Sequence, residues 1–281
     1  MELKRLIYLV LITVLTCTSY RSAYSQEFKE LLRAGVNENN NQIGIEYLTK
    51  AINLNPNCAE CYRSRAFKKN SEEIADYLGA IEDFKTSIRL SHEYPLIDKV
   101  YVGIAFSYQS IGNREQAISY YTKAIGELHD LFVQSQLHLI EPYDNRMCLY
   151  FKERGVLKFE LEDFRGAVID FDNAIKFLGK CSFPSDTKLK NLKSFALGSL
   201  GRFTEVKQIM EIAIDNFVPK ESWNWDTQRF EANYRDKAES MYLLGLALVE
   251  LGYTEEGCGQ LSSSGELGYH QAYETIRDRC K

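Results

Sequence analysis

The sequence predicts an all-α protein built as an array of stacked helix pairs, and three observations lead there. Six segments share one spacing, in most a small residue, then an aromatic or long apolar one four later and a small one three after that; most follow an amphipathic stretch, and short turns rich in helix breakers join the two. The segments are GIEYLTKAI (44–52), AIEDFKTSI (80–88), AISYYTKAI (117–125), AVIDFDNAI (167–175), VKQIMEIAI (206–214) and a degenerate GCGQLSSSG (257–265). Self-similarity of this kind marks units that cannot bury their apolar faces alone and stack to do so. With 281 residues, 45% hydrophobic and 26% charged, the composition is that of an ordinary folded domain.

The N-terminal 25 residues stand apart. Lys4 and Arg5 precede an apolar run, Leu6–Cys17, and a more polar stretch ends in Ala23-Tyr24-Ser25 before Gln26. A basic head, a short apolar run and small residues three and one before a cut predict a secretory signal peptide over 1–25. The run falls short of the ~20 apolar residues that span a bilayer. Two alternatives are a buried N-terminal helix and lipid attachment at Cys17, since Val14-Leu15-Thr16 loosely resembles a bacterial lipobox. Cleavage would remove Glu2, Lys4, Arg5 and Arg21 and move the formal charge from −5 to −7. The expected location is therefore periplasmic or extracellular. An acidic chain without a Lys/Arg run does not suit nucleic acid, whose binding needs clustered cations.

Taken in order, the elements follow from local pattern. NENNN (37–41) reads as a loop before the first repeated segment, and NLNPN (53–57) closes it. Tyr62, Ala66 and Tyr77 precede Ala80 and Phe84, with two extra residues in the turn between the helices. Residues 101, 104, 105 and 108 form the i, i+3, i+4, i+7 stripe of an amphipathic helix; Gly112-Asn113 breaks it and Arg114–Ala117 starts the next. Phe151, Gly155 and Phe164 repeat the arrangement before Ala167, as do Gly201 and Phe203 before Val206. Met241, Leu244, Gly245, Leu248 and Gly252 do so before Gly257, and a last helix, 269–280, follows. The small residues Ala80, Ala105, Ala117, Ala124, Ala167 and Gly245 are expected where helices approach closely, because enlarging such sites typically costs ~1–3 kcal/mol.

These motifs resemble the tetratricopeptide repeat family, whose 34-residue unit carries small, aromatic and small residues in this order. The best full match is Tyr101, Ile104, Ala105, Tyr108, Ala117, Tyr121 and Ala124; Gly44, Leu48, Ala51 and Pro56 give the best second helix. The end of the chain, SSSGELGYHQA, is similar to the related Sel1-type repeat. The resemblance implies a right-handed solenoid of stacked antiparallel helix pairs with a C-terminal capping helix. It would occupy a domain over 26–281, with approximate repeats 26–56, 57–94, 95–131, 146–181, 187–220 and 238–281. The repeated small residues at 44, 80, 117, 167, 206 and 257 are spaced 36, 37, 50, 39 and 51 apart, so insertions fall near 132–147 and 221–237. The first is expected to extend the preceding helix until Pro142 stops it. The second, with Trp223 and Trp225, is expected to be a loop or helix packed on the edge of the stack, or a flap that touches a partner.

In the family, one face of each first helix lines a groove for a partner. Carried over, the columns are Phe67, Phe106, Val156, Phe195 and Leu246, then Arg63, Val102, Lys152, Asn191 and Tyr242. A third adds Asn70, Gln109, Phe159, Gly198 and Val249. Such a groove is apolar enough to anchor an amphipathic helix or extended peptide, although the tail or an insertion of the same chain could fill it. Only Lys152 and Asn191 match the carboxylate-clamping set of members that read chaperone tails, so dicarboxylate recognition is not expected.

Beyond Cys17 there are six cysteines, an even number that in an exported chain suggests disulfides, with 15 complete pairings. Repeat topology brings Cys148 and Cys181 to one end of a helix pair, and relates Cys258 and Cys280 in the same way. That leaves Cys58 with Cys61. Each pairing requires Cα atoms within about 7 Å. Cys58-Ala59-Glu60-Cys61 is also a CxxC, but no βαβ context accompanies it and no second ligand pair for zinc exists. His92, His129, His138 and His270 are scattered, and no P-loop, GxSxG or HExxH occurs. The expectation is a non-enzymatic scaffold with a protein or peptide partner and no cofactor or metal. It would touch a membrane only through Cys17 or an uncleaved N-terminus. The alternatives are a tethered outer-membrane assembly-type lipoprotein and, remotely, a CxxC thiol oxidoreductase.

Overall fold

A computed structural model describes residues 25–91, 96–135, 141–177, 186–218, 220–224 and 229–281. The chain divides into two compact units at Glu127/Leu128. Unit 1 contains α1 (25–37), α2 (Asn41–Leu54), α3 (Ala59–Lys69), α4 (Tyr77–Leu90), α5 (Ile97–Ser110) and the first part of α6 (Arg114–Ser135). Unit 2 holds the rest of α6, then α7 (Glu141–Glu160), α8 (Phe164–Lys176), α9 (Asp186–Ser199) and α10 (Phe203–Asp215). Strands β1 (Lys220–Asn224) and β2 (Arg229–Asn233) follow, and α11 (Arg235–Glu250), α12 (Thr254–Glu266) and α13 (Gln271–Arg279) end the chain. The expected signal segment up to residue 24, with Cys17, lies outside the described residues. Among the described residues no helix is long and apolar enough to cross a membrane.

The fold is all-α, of the helical-hairpin solenoid class, and its turns show why. Helices α5, α7, α9 and α11 end alike. Asn113, Asp163, Arg202 and Tyr253 donate their N–H to the carbonyls of Tyr108, Lys158, Leu197 and Leu248, all at 2.9 Å, which satisfies carbonyls that a helix end would leave unpaired. The residue before each donor must take a left-handed backbone. Gly112, Gly201 and Gly252 supply it at φ 80°, 71° and 88°, whereas the α7–α8 turn uses Glu162 at φ 62°. Asn40, Asp76, Asn113 and Asp163 then accept from the N–H three residues on and start α2, α4, α6 and α8.

The repeated small residues are where helices meet. Ala80, Ala105, Ala117, Ala124 and Ala167 are fully buried. A Cβ added to Gly245 would lie 2.9 Å from the Gly257 carbonyl oxygen, so α11 and α12 touch backbone to backbone. Phe84 and Phe171, the aromatic members of two segments, are fully buried and press their rings on Gly103 and Gly155. Each also follows a buried aspartate. Asp83 takes two bonds of 2.7 Å from Arg65 and an ion pair with Lys69 at 3.1 Å. Asp170 takes 2.8 and 2.7 Å bonds from Arg154 and pairs with Lys158 at 2.9 Å. The same Arg-x3-Lys and Asp triad therefore rivets α3 to α4 and α7 to α8.

The two insertions differ from expectation. Helix α6 runs on to Ser135, but Pro142 opens α7 instead of ending α6. Proline has no N–H to offer and is tolerated in a first turn, where that donor has no helical partner. The second insertion is a two-stranded antiparallel hairpin in which Trp223 pairs with Phe230, not a loop or helix. Aromatic residues favour extended backbone, and Lys220–Asn224 and Arg229–Asn233 satisfy each other's peptide groups.

Candidate functional site

In unit 1 the expected groove residues of α3 and α5 include two exposed aromatic rings. Phe67 is 44% exposed and Phe106 37%, although both sit in helices whose neighbouring residues, Ala66 and Ala105, are fully buried. Phe67 meets Phe84 edge-on at 4.9 Å, and Phe106 meets Tyr77 at 6.2 Å. Leu78, beside Tyr77, is 65% exposed. Asn70, one turn beyond Phe67, ties the two first helices together: its amide donates to the Gly103 carbonyl at 3.1 Å and accepts from Ser107 Oγ at 2.7 Å. Arg63, Val102 and Gln109 are half-buried in the same helices, and Gln109 accepts from the Tyr121 hydroxyl at 3.5 Å.

Unit 2 presents the corresponding face differently. Lys152 pairs with Glu153 at 2.6 Å, while Val156 and Phe159 pack partly buried against the unit's core. Phe195 of α9 and Leu246 of α11 line a cleft of about 310 Å³ together with Gly198, Phe203, Glu250 and Arg279. Arg279 of α13 donates from Nη1 to Glu250 Oε1 at 2.7 Å.

Two expected groove residues are instead internal. Asn191 is fully buried; its amide donates to the Asp236 carbonyl at 3.0 Å and to Glu239 at 2.9 Å, and its oxygen accepts from Ser240 at 2.7 Å. This is the Asn–carbonyl–Ser arrangement of Asn70, Gly103 and Ser107, used here to join α9 to α11. Tyr242 is 5% exposed because α13 covers it: its hydroxyl lies 3.3 Å from Thr275 Oγ1 and its ring 4.9 Å from Tyr269. Sequence reasoning did not single out Leu78, Glu250 or Arg279. The Glu250–Arg279 pair spans 29 residues and leaves no local signal.

The cysteines serve packing. Cys58 caps α3 by accepting the Cys61 N–H on its sulfur at 3.0 Å, and the two are disulfide-bonded. Both are buried against Ala51 and Ile52, with Phe28, Leu31, Leu32 and Tyr62 around them, so an incoming substrate thiol meets apolar side chains before sulfur. Cys258 and Cys280 are also bonded, with Cα atoms 5.9 Å apart, and fasten the end of α13 to α12. Cys148 is fully buried, and the pairing expected for it involves Cys181, which lies outside the described residues. Burial pushes the phenols of Tyr101, Tyr143 and Tyr269 above the ordinary tyrosine range.

Antiparallel helix pairs crossing on small residues, with aromatics left open along first helices, define a helical-repeat scaffold. The fold is similar to that of tetratricopeptide repeat proteins. Residues 98–126 match the tetratricopeptide repeat family model. Among solved structures, YrrB, a tetratricopeptide protein with an unusual peptide-binding site, is similar at a TM-score of 0.58, with 15% identity and coverage of 83% of this chain and 99% of that one. PilF of Pseudomonas aeruginosa is similar at 0.53, with 12% identity over 91% of this chain and 99% of its own. At these identities the likeness is one of fold. Mouse DnaJ homolog subfamily C member 7 is 25% identical over 225 residues, which is 80% of this chain and 39% of the mouse protein. The human protein of the same name is 25% identical over 66% of this chain and 35% of its own length. The chain thus spans about two fifths or less of the curated relatives it matches. Tetratricopeptide repeats act through protein or peptide partners.

Proposed function

We propose that this protein is an exported interaction module that holds an amphipathic helix or extended peptide against the apolar face of its first helices. The observation that carries the reading is the exposure of Phe67 and Phe106 beside the fully buried Ala66 and Ala105 of the same helices. A fully buried phenylalanine contributes ~1.5–3 kcal/mol, so two rings and Leu78 suffice to anchor a short apolar motif. A peptide-binding member among the structural neighbours supports it. Export rests on the basic head, apolar run and Ala23-Tyr24-Ser25 site, and a mildly acidic surface favours a partner that is not itself acidic.

Selection of displayed random peptides on the full chain should enrich sequences with two apolar residues one helical turn apart or two residues apart. Phe67→Ala with Phe106→Ala should weaken the selected peptides by about tenfold or more. Unchanged affinity, with an unchanged helical circular dichroism spectrum, would remove the groove. Intact mass of the exported protein distinguishes cleavage after Ser25 from acylation at Cys17, and a retained N-terminus would overturn export by cleavage.

A further inference from the structure

We infer that the unit 2 cleft is a receptor for a basic side chain, arginine or lysine next to an apolar residue, and that Arg279 of the chain's own last helix holds its place. The inference rests on the groove reading and narrows it to one partner chemistry. The floor of the cleft is apolar, formed by Phe195, Leu246, Phe203 and Val206. Gly198 keeps it open: it lies within α9, where glycine is unfavourable, and a Cβ there would meet nothing within 4 Å. The mouth carries groups that attract a cation, which Arg279 meets in this structure. Helices α9 and α11 both end at it, at Ser199 and Glu250, and helix C-termini carry partial negative charge to which the Glu250 carboxylate adds a full one. Ser194 in the wall is fully buried and its hydroxyl has no hydrogen-bond partner.

An apolar slot under an anionic rim suits a methylene stem that ends in a cation. The chain fills that position itself, since among the described residues Arg279 is the cation that lines the cleft, and it bonds Glu250. The Arg279 side chain is nevertheless 54% exposed and Glu250 34%, so the contact is a rim ion pair that water weakens. What keeps Arg279 there is the tether. Cys280, the next residue, is bonded to Cys258 of α12, and Ala272 at the other end of α13 is fully buried. Tethering raises the effective concentration of Arg279 at Glu250 and makes it a competitor for any incoming arginine or lysine. A formal charge of −5 further favours a basic partner.

The test measures binding of a labelled peptide, acetyl-Ala-Leu-Arg-Leu-Ala-amide, and its Arg-to-Gln analogue to the full-length protein and three variants. Arg279→Ala should tighten the arginine peptide by about threefold to fivefold, the scale of a surface ion pair, and leave the glutamine peptide unchanged. Glu250→Gln should erase the preference for arginine. Gly198→Leu, a substitution that helix propensity favours and nothing obstructs, should fill the floor and abolish binding of the arginine peptide. Failure of Arg279→Ala to tighten the arginine peptide selectively, or failure of that peptide to bind at all, overturns the receptor. If both peptides bind equally and both are lost in Gly198→Leu, the cation preference falls while the groove reading stands. The Phe67/Phe106 pair in unit 1 tests that reading separately.

Discussion

In unit 1, α4 is held to α3 by a buried aspartate, Asp83, that takes Arg65 and Lys69 from the facing helix. In unit 2, α12 meets α11 at two glycines, where a Cβ on Gly257 would lie 2.8 Å from the Gly245 carbonyl oxygen and 3.0 Å from the Val249 nitrogen. Both hairpins place their second helix at the same point of the repeat, three residues apart in the pattern (Ala80 and Asp83 against Gly257 and Gln260). Long basic side chains let one pair bridge a gap with charge; missing side chains let the other close it. The first arrangement is vulnerable to losing a group, the second to gaining one.

The largest effect should come from the charged rivet. Asp170→Ala, at the fully buried copy of the triad in α7–α8, leaves Arg154 and Lys158 at 13% and 20% exposure without their carboxylate. Breaking a buried pair from one side costs about 3–5 kcal/mol, to be measured by urea unfolding. Gly257→Ala should come next, at about 1–3 kcal/mol, because the obstacle is backbone that cannot rotate away. If Gly257→Ala proves neutral, the two helices can slide apart and the contrast collapses. The smallest effect has the opposite sign. Glu162 occupies the left-handed turn position that glycine fills in three sibling turns, so Glu162→Gly should stabilise by about 0.5–1 kcal/mol. A thermal scan showing no gain would mean that Glu162 makes a compensating contact.

Much of the helical architecture was legible because its signals are local. A small residue, an aromatic four later and a small one three after that survive in Ala80–Phe84–Ser87 and Ala167–Phe171–Ala174 regardless of what packs outside, and all six residues are buried. The β1–β2 pair was not legible, since ESWNWDTQRFEANYRDK has neither a helical nor a clean alternating period from which the register of Trp223 with Phe230 could be read. Exposure of the expected groove residues was legible only in part. Phe67 and Phe106 are open, but Asn191 and Tyr242, which occupy one expected column, are covered by α11 and α13. Carrying a column from repeat to repeat assumes the same neighbours at each step, and the last repeats have different ones.

The amino-acid sequence by itself determined where helices start, turn and present small residues to one another, because caps, glycine turns and 3.6-residue periodicity act within a few residues. Only the tertiary structure decided which first-helix side chains remain exposed and which cation meets Glu250. Exposure is a property of whatever element packs over a residue, and here that element, α13, arrives from 29 residues further along the chain.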